Sequence, residues 1–251
     1  LRLIARKIQQ IFQLVPKGKL PRELARQVVQ EAQNLERLVC LAALRQVETN
    51  IVAMDHQVRA VRDFILTGAR PQEARSIVKL WDLIKQAMSN LDEYADSKGV
   101  EFKPRDDAFG VYVRVSERDV LRALSNLLHN AIKYSWSKEK GKPAWVIIHA
   151  YVQAERAYVM FENFGVPIQA DELQNGLIFQ FGYRGSLSSD RGRLGTGIGL
   201  TDALNTARLH GGDIKAESVC ARHGAPPNDY TAPFITKVTL SLPSYPHRSI
   251  I

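Results

Sequence analysis

No stretch of this chain constrains its structure more than Asn126 to Tyr134, a helix with two unlike sides. At about 100 degrees per residue, Leu124, Leu127, Leu128, Ala131 and Ile132 gather on one side, and Asn126, His129, Asn130 and Lys133 share the other. The spacing predicts a helix that packs by its leucines and offers two amides and an ammonium outward. Two neutral amide oxygens one turn apart suit a hard cation such as Mg2+, which keeps several waters and takes its other ligands from phosphates. A lysine on the next turn suits a phosphate. Taken by itself, the stripe is equally readable as a wetted helix face.

Downstream, Gly192-Arg193-Leu194-Gly195-Thr196-Gly197-Ile198-Gly199-Leu200 alternates glycines just before a helix-forming run, Thr201 to Leu209. Glycine lets backbone N–H groups approach a polyphosphate, and a helix N-terminus adds partial positive charge. The run is not the dinucleotide fingerprint, which directly follows a strand; here the preceding Tyr183 to Arg193 is polar and rich in Arg and Ser. Between the two segments, Val159 to Ile168 has a strand pattern ending in a polar turn at Asn163-Phe164-Gly165.

The order of an Asn-x-x-x-Asn-Ala-x-Lys-Tyr helix, a strand-end Asn-x-Gly, an aromatic segment (Phe179, Phe181) and Gly-Thr-Gly-Ile-Gly-Leu resembles the catalytic ATP-binding domain of sensor histidine kinases. That domain is of the Bergerat ATPase fold, shared with gyrase, the MutL-type repair proteins and the heat-shock chaperone of that class. The resemblance covers about residues 98 to 243. It implies Asn126 and Asn130 near Mg2+, Lys133 on phosphate, Tyr134 against the base or ribose, and Asn163 and Gly165 at the base. It also implies that Gly195, Thr196, Gly197, Ile198, Gly199 and Leu200 lie along the triphosphate. The lid would be Phe179 to Leu194, with Arg184, Arg191 and Arg193 as candidates for gripping the terminal phosphates.

The chain departs from the family pattern where an Asp-x-Gly-x-Gly usually supplies a carboxylate to the adenine amino group. Asn163 stands there; its carbonyl still accepts that bond, without charge assistance of about 1 kcal/mol. Glu162 does not replace it, because strand neighbours point to opposite faces. Pro167 stiffens the turn. A second departure is the longer loop Cys220 to Pro233 before the last strand.

At 251 residues and 45% hydrophobic content the chain is not disordered, and it has room for a domain with an attachment. Its net charge of +8 is dispersed and lacks aromatic–basic interleaving, so no nucleic-acid partner is expected. Two distant cysteines, Cys40 and Cys220, fit a reduced, cytoplasmic setting. Nothing in the chain is apolar enough over about 18 residues to span a membrane, so any membrane attachment is expected from an upstream segment.

Toward the N-terminus, Val47, Ile51, Met54, Val58, Val61 and Ile65 repeat in steps of four and three, as do Ile77, Leu80, Ile84, Ala87, Leu91 and Tyr94. Thr67-Gly68-Ala69-Arg70-Pro71 supplies a helix stop and a start between them. The expectation is an antiparallel hairpin that dimerises into a four-helix bundle. His56, exposed on that heptad, is the candidate phosphoacceptor, with Asp55 or Asp63 as base; its neighbours Gln57 and Val61 depart from the family's pattern.

The expected fold is α/β, a two-layer sandwich of mixed sheet and helices preceded by a helical hairpin region. Its parts are a dimerisation and phosphotransfer-like region at 1–97, an ATP-binding domain at 98–245 and a tail at 246–251. Val100 to Lys103, Phe109 to Val115, Trp145 to Gln153, Ala157 to Glu162, Asp213 to Val219 and Phe234 to Leu242 read as strands. The expected function is a Mg2+- and ATP-dependent, homodimeric histidine autokinase that passes phosphate to a response-regulator receiver domain. Two alternatives stay open: a nucleotide-binding signalling module without kinase activity, and a serine or threonine kinase like the anti-sigma relatives, against which the paired heptads argue.

Overall fold

The computed structural model describes residues 26–41, 43, 44, 47, 51, 54, 58, 74–108, 110–137, 141–191, 196–222, 224–226 and 229–245, without the side chains of 189–191. The chain divides into two compact units, Leu1–His56 and Gln57–Ile251. In the first, residues 26–41 form helix α1, on which Val28 and Leu35 are half-buried. Residues 43, 44, 47, 51 and 54 are also helical, and Leu44, Val47, Ile51 and Met54 are more than half exposed.

The second unit is built on a five-stranded sheet in the order β2-β4-β5-β7-β6: β2 Val100–Asp106, β4 Ala144–Gln153, β5 Arg156–Gly165, β7 Phe234–Pro243, β6 Asp213–Cys220. Only β2 and β4 run parallel; the other neighbours are antiparallel, so the sheet is mixed. Along β4, buried residues alternate with half-buried ones, as a sheet covered on one face requires. The covering layer is α2 (Leu80–Lys98), α3 (Glu117–Tyr134) and α5 (Gly199–Leu209), whose buried side chains share one core with the sheet's Val146, Ile148, Val159, Phe161 and Leu240. Strand β1 (Ser76–Lys79) pairs antiparallel with β3 (Tyr112–Val115) as a separate two-stranded ribbon. A short helix α4 (Ala170–Gln174) precedes two 3-10 turns, Leu177–Phe179 and Ser186–Arg191.

Two sequence expectations are corrected here. Ile77 to Tyr94 is not the second arm of a hairpin: Ile77 lies in β1, and Leu80, Leu83, Ile84, Ala87, Leu91 and Tyr94 are buried in the core of the sheet unit. A boundary at 97/98 would cut that core, and the compact unit that holds it begins at Gln57. Strand β5 also runs on through Gly165, so Asn163 sits within the ladder, opposite Val146 on β4 and Thr236 on β7, rather than in a turn. The other strands lie close to where alternation places them, with β3 beginning at Tyr112; Phe109 lies outside the described residues.

Candidate nucleotide-binding site

Helix α3 starts where Ser116, in extended backbone, accepts a bond from Asp119 N–H at 3.3 Å and so caps the helix. Its far end docks on β5: Tyr134 O accepts from Val166 N–H at 3.2 Å, and Ser135 bridges to Gly165. A Cβ on Gly165 would lie 1.9 Å from Tyr134 O, so only glycine allows this approach. Leu124, Leu127, Leu128, Ala131 and Ile132 are buried in the core, as the helix pattern requires.

The polar side of α3 is not turned to solvent. Asn126 is 7% exposed, and its Nδ2 donates to Asp202 on α5 at 2.9 Å. Asp202, 4% exposed, also accepts from Arg122 Nε at 2.9 Å. Arg122 donates further to Thr206 Oγ1 at 3.3 Å, and at the other end of the seam His210 Nε2 accepts from Ser116 N–H at 3.0 Å. Asp202, Thr206 and His210 stand one helical turn apart, so one polar stripe of α5 lies along one polar stripe of α3. His129 leaves this face and stacks on Tyr94 of α2, with ring centroids 4.8 Å apart. His210 closes α5 by an Nδ1 contact to Thr206 O at 2.9 Å, a capping rather than a catalytic position.

The seam fixes one amide and frees one atom. With Nδ2 committed to Asp202, Oδ1 is the atom that Asn126 has to offer a cation. Gly199, the first residue of α5, faces both asparagines: a Cβ there would lie 3.8 Å from Asn126 Cβ and 3.8 Å from Asn130 Nδ2. The first amides of an α-helix have no partner inside it, so α5 begins with N–H groups beside the asparagine pair. No group of three or more His, Cys, Asp or Glu side chains among the described residues is placed to hold a metal ion by itself. The Oδ1 of Asn126 and the amide of Asn130, beside a helix start whose first N–H groups lack intrahelical partners, fit Mg2+ nonetheless, since that ion takes few protein ligands and completes its shell with phosphates and water.

At the glycine segment, Thr196 Oγ1 accepts from Ile198 N–H at 3.4 Å, Ile198 is buried and Leu200 packs against the core. Gly197 has φ +69° and lies against Gly182, whose N–H donates to Gly197 O at 3.1 Å; a Cβ there would come within 2.5 Å of Gly182 C. This bond ties Gly182, within the expected lid of Phe179 to Leu194, to Gly197 just beyond it. Its base is held by Glu172, 2% exposed, which accepts from Tyr183 OH at 3.0 Å and Ser186 N–H at 2.8 Å. Desolvation, then the bond to Glu172, pushes the Tyr183 phenol above its ordinary range.

Of the remaining candidates, Lys133 holds its ammonium 5.1 Å from the ring centroid of Tyr134, and Arg184 is exposed. Phe179 packs on the core and its carbonyl accepts from Thr201 Oγ1 at 2.9 Å, whereas Phe181 is exposed. Asn163 is 4% exposed and its Nδ2 has no hydrogen-bond partner among the described residues. Glu162 points to the opposite face, where it pairs with Lys237 at 3.3 Å. His56, Asp55, Asp63, Gly195 and Arg193, and the side chain of Arg191, lie outside the described residues. Sequence reasoning missed Arg122, Asp202 and Glu172. The i, i+4 spacing of Asp202 and Thr206 puts both on one face of α5 but does not identify the helix that this face meets.

The family described as histidine kinase-, DNA gyrase B- and HSP90-like ATPase matches residues 115–245, just over half of the chain. The sensor histidine kinase MtrB of Mycolicibacterium paratuberculosis is 32% identical over 139 residues, 55% of this chain and 23% of MtrB. The chain spans well under half the length of the curated relatives it matches. Among solved structures, the mycobacterial sensor histidine kinase MprB aligns with a TM-score of 0.55 at 21% identity, over 68% of this chain and 99% of that one. Histidine kinase ThkA, solved in complex with response regulator protein TrrA, aligns with a TM-score of 0.52 at 17% identity, over 98% and 58%. At such identities these two likenesses show the fold alone.

Proposed function

This chain belongs to the histidine kinase-, DNA gyrase B- and HSP90-like ATPases, and from that premise we propose that it is the kinase portion of a two-component sensor. It binds ATP with Mg2+ where α3, the end of β5 and the start of α5 meet, and it phosphorylates a histidine. The observation that carries this reading is the facing of Asn126 and Asn130 onto Gly199 at the head of α5. Asn126 Oδ1 and the Asn130 amide would hold the cation, whose charge offsets that of the phosphates. The leading amides of α5 bind phosphate oxygens, Lys133 adds a positive charge, and Arg184 on the lid segment closes over the terminal phosphate. Phosphoryl transfer of this kind is driven by positioning and charge neutralisation.

His56 is the proposed acceptor, and an aspartate on a response-regulator receiver domain is the proposed destination; the complex of the related ThkA with a response regulator supports that partner. Val47, Ile51 and Met54, helical and exposed, support a homodimer through the N-terminal helices. No helix among the described residues is long and apolar enough to cross a membrane. A reaction that draws on ATP would place this portion in the cytoplasm.

Incubation with γ-labelled ATP and Mg2+, comparing wild type with His56→Gln, tests the assignment. Acid-labile label that disappears in the variant is the expected result. ATP binding without label would leave a nucleotide-binding module, and acid-stable label on a hydroxyl would make the chain a serine or threonine kinase.

A further inference from the structure

Asn163 is nearly inaccessible, yet its Nδ2 goes unpaired among the described residues. Buried donors without partners are rare enough to call for a reason. Its ladder neighbours supply none: Val146 has no polar side-chain atom, and Thr236 Oγ1 lies 3.4 Å from both Val166 O and Ser218 Oγ. The amide nitrogen lies 3.1 Å from the point where a Cβ on Gly165 would stand, beside the Tyr134 carbonyl. It is thus a donor waiting at the end of β5, where the nucleotide reading puts the base.

We propose that Asn163 reads the 6-position of the purine in either of two ways, so that 6-oxopurine nucleoside triphosphates bind as well as ATP. The proposal rests on the nucleotide site described above. A carboxylate has only acceptors; it takes the adenine amino group and repels a carbonyl at the same position. An amide has a donor and an acceptor side by side. Facing adenine, Oδ1 accepts from the 6-amino group while Nδ2 donates to an adjacent ring nitrogen. Turned over, Nδ2 donates to the 6-oxo oxygen while Oδ1 accepts from the ring N–H. Asn126 shows what would prevent such a turn, for Asp202 locks its Nδ2. No described residue holds Asn163 Nδ2 in that way. Nor does a neighbouring carboxylate restore the lost selectivity, because Glu162 faces the other side of the sheet with Lys237.

Displacement of a fluorescent ATP analogue from the full chain, in Mg2+, by ATP and by inosine triphosphate provides the test. Inosine carries the 6-oxo group without the 2-amino group of guanosine, so it isolates the contact. The two nucleotides should displace the probe from wild type at concentrations within about threefold of each other. Asn163→Asp should raise the preference for ATP by about tenfold or more. A wild type that prefers ATP by about tenfold or more overturns the proposal, and that ratio decides even if the variant fails to fold. An unchanged preference in a folded Asn163→Asp overturns it too. ATP binding with inosine triphosphate excluded leaves the nucleotide site standing; failure of both brings down the site and the proposal together.

Discussion

Asn126 makes two demands on one amide, and Asp202 is what reconciles them. By taking Nδ2, the buried carboxylate leaves Oδ1 as the atom that Asn126 can offer a cation, and Arg122 keeps its charge compensated. Removing it leaves the Arg122 guanidinium, largely sequestered, short of its nearest anion. Asp202→Ala should therefore cost about 2–3 kcal/mol in denaturant unfolding and weaken Mg2+-dependent nucleotide binding together. A variant with wild-type stability would show that the seam contributes little. At this scale the sequence was legible wherever a residue acts through its own motif: the two asparagines and Gly199 meet as their order implies. It was silent on Asp202, because a carboxylate on the first turn of a helix looks like an ordinary dipole partner until the facing helix is known. It also placed His129 with the asparagines, since a helical arc tells which residues are neighbours but not which partner each will find.

Helix α2 is the element that sequence reading misplaced. Leu80, Ile84, Ala87, Leu91 and Tyr94 repeat as a coiled-coil seam does, and a core-facing helix of a domain has nearly the same period. The distinguishing signal was width: Leu83 and Ala95 are buried beside that line, giving a broader stripe than a two-position seam. Each large apolar side chain taken out of water contributes about 1.5–3 kcal/mol, so losing this helix would exceed the margin that holds most domains together. A chain of residues 74–245 should melt cooperatively and bind ATP, whereas one of residues 98–245 should do neither in circular dichroism and binding assays. Equal melting of the two would return α2 to the N-terminal region. Strands were easier to read, because alternation on a half-covered sheet is local; β5 outran its expected end because Asn163 and Gly165, polar or small by type, are nonetheless laddered to β7.

For the whole molecule, the exposed line of Val47, Ile51 and Met54 is the feature that supports the proposed homodimer. Sedimentation should find the full chain dimeric, and Ile51→Asp should shift it toward monomer while leaving ATP binding unchanged; a monomeric wild type would contradict this. The expected turn at Thr67 to Pro71 and the proposed acceptor His56 lie outside the described residues. The α/β class and the mixed sheet were legible because motif order follows the topology. The division into units was not, since a boundary depends on which core a helix joins. The central proposal is a Mg2+–nucleotide site made by α3 and the head of α5. The most direct test is to titrate ATP into wild type and Asn130→Ala, with and without Mg2+. Wild type should bind more tightly with the ion, and Asn130→Ala should lose about tenfold in its presence and little in its absence. Binding indifferent to Mg2+ in wild type, or unchanged by the substitution, would contradict the account.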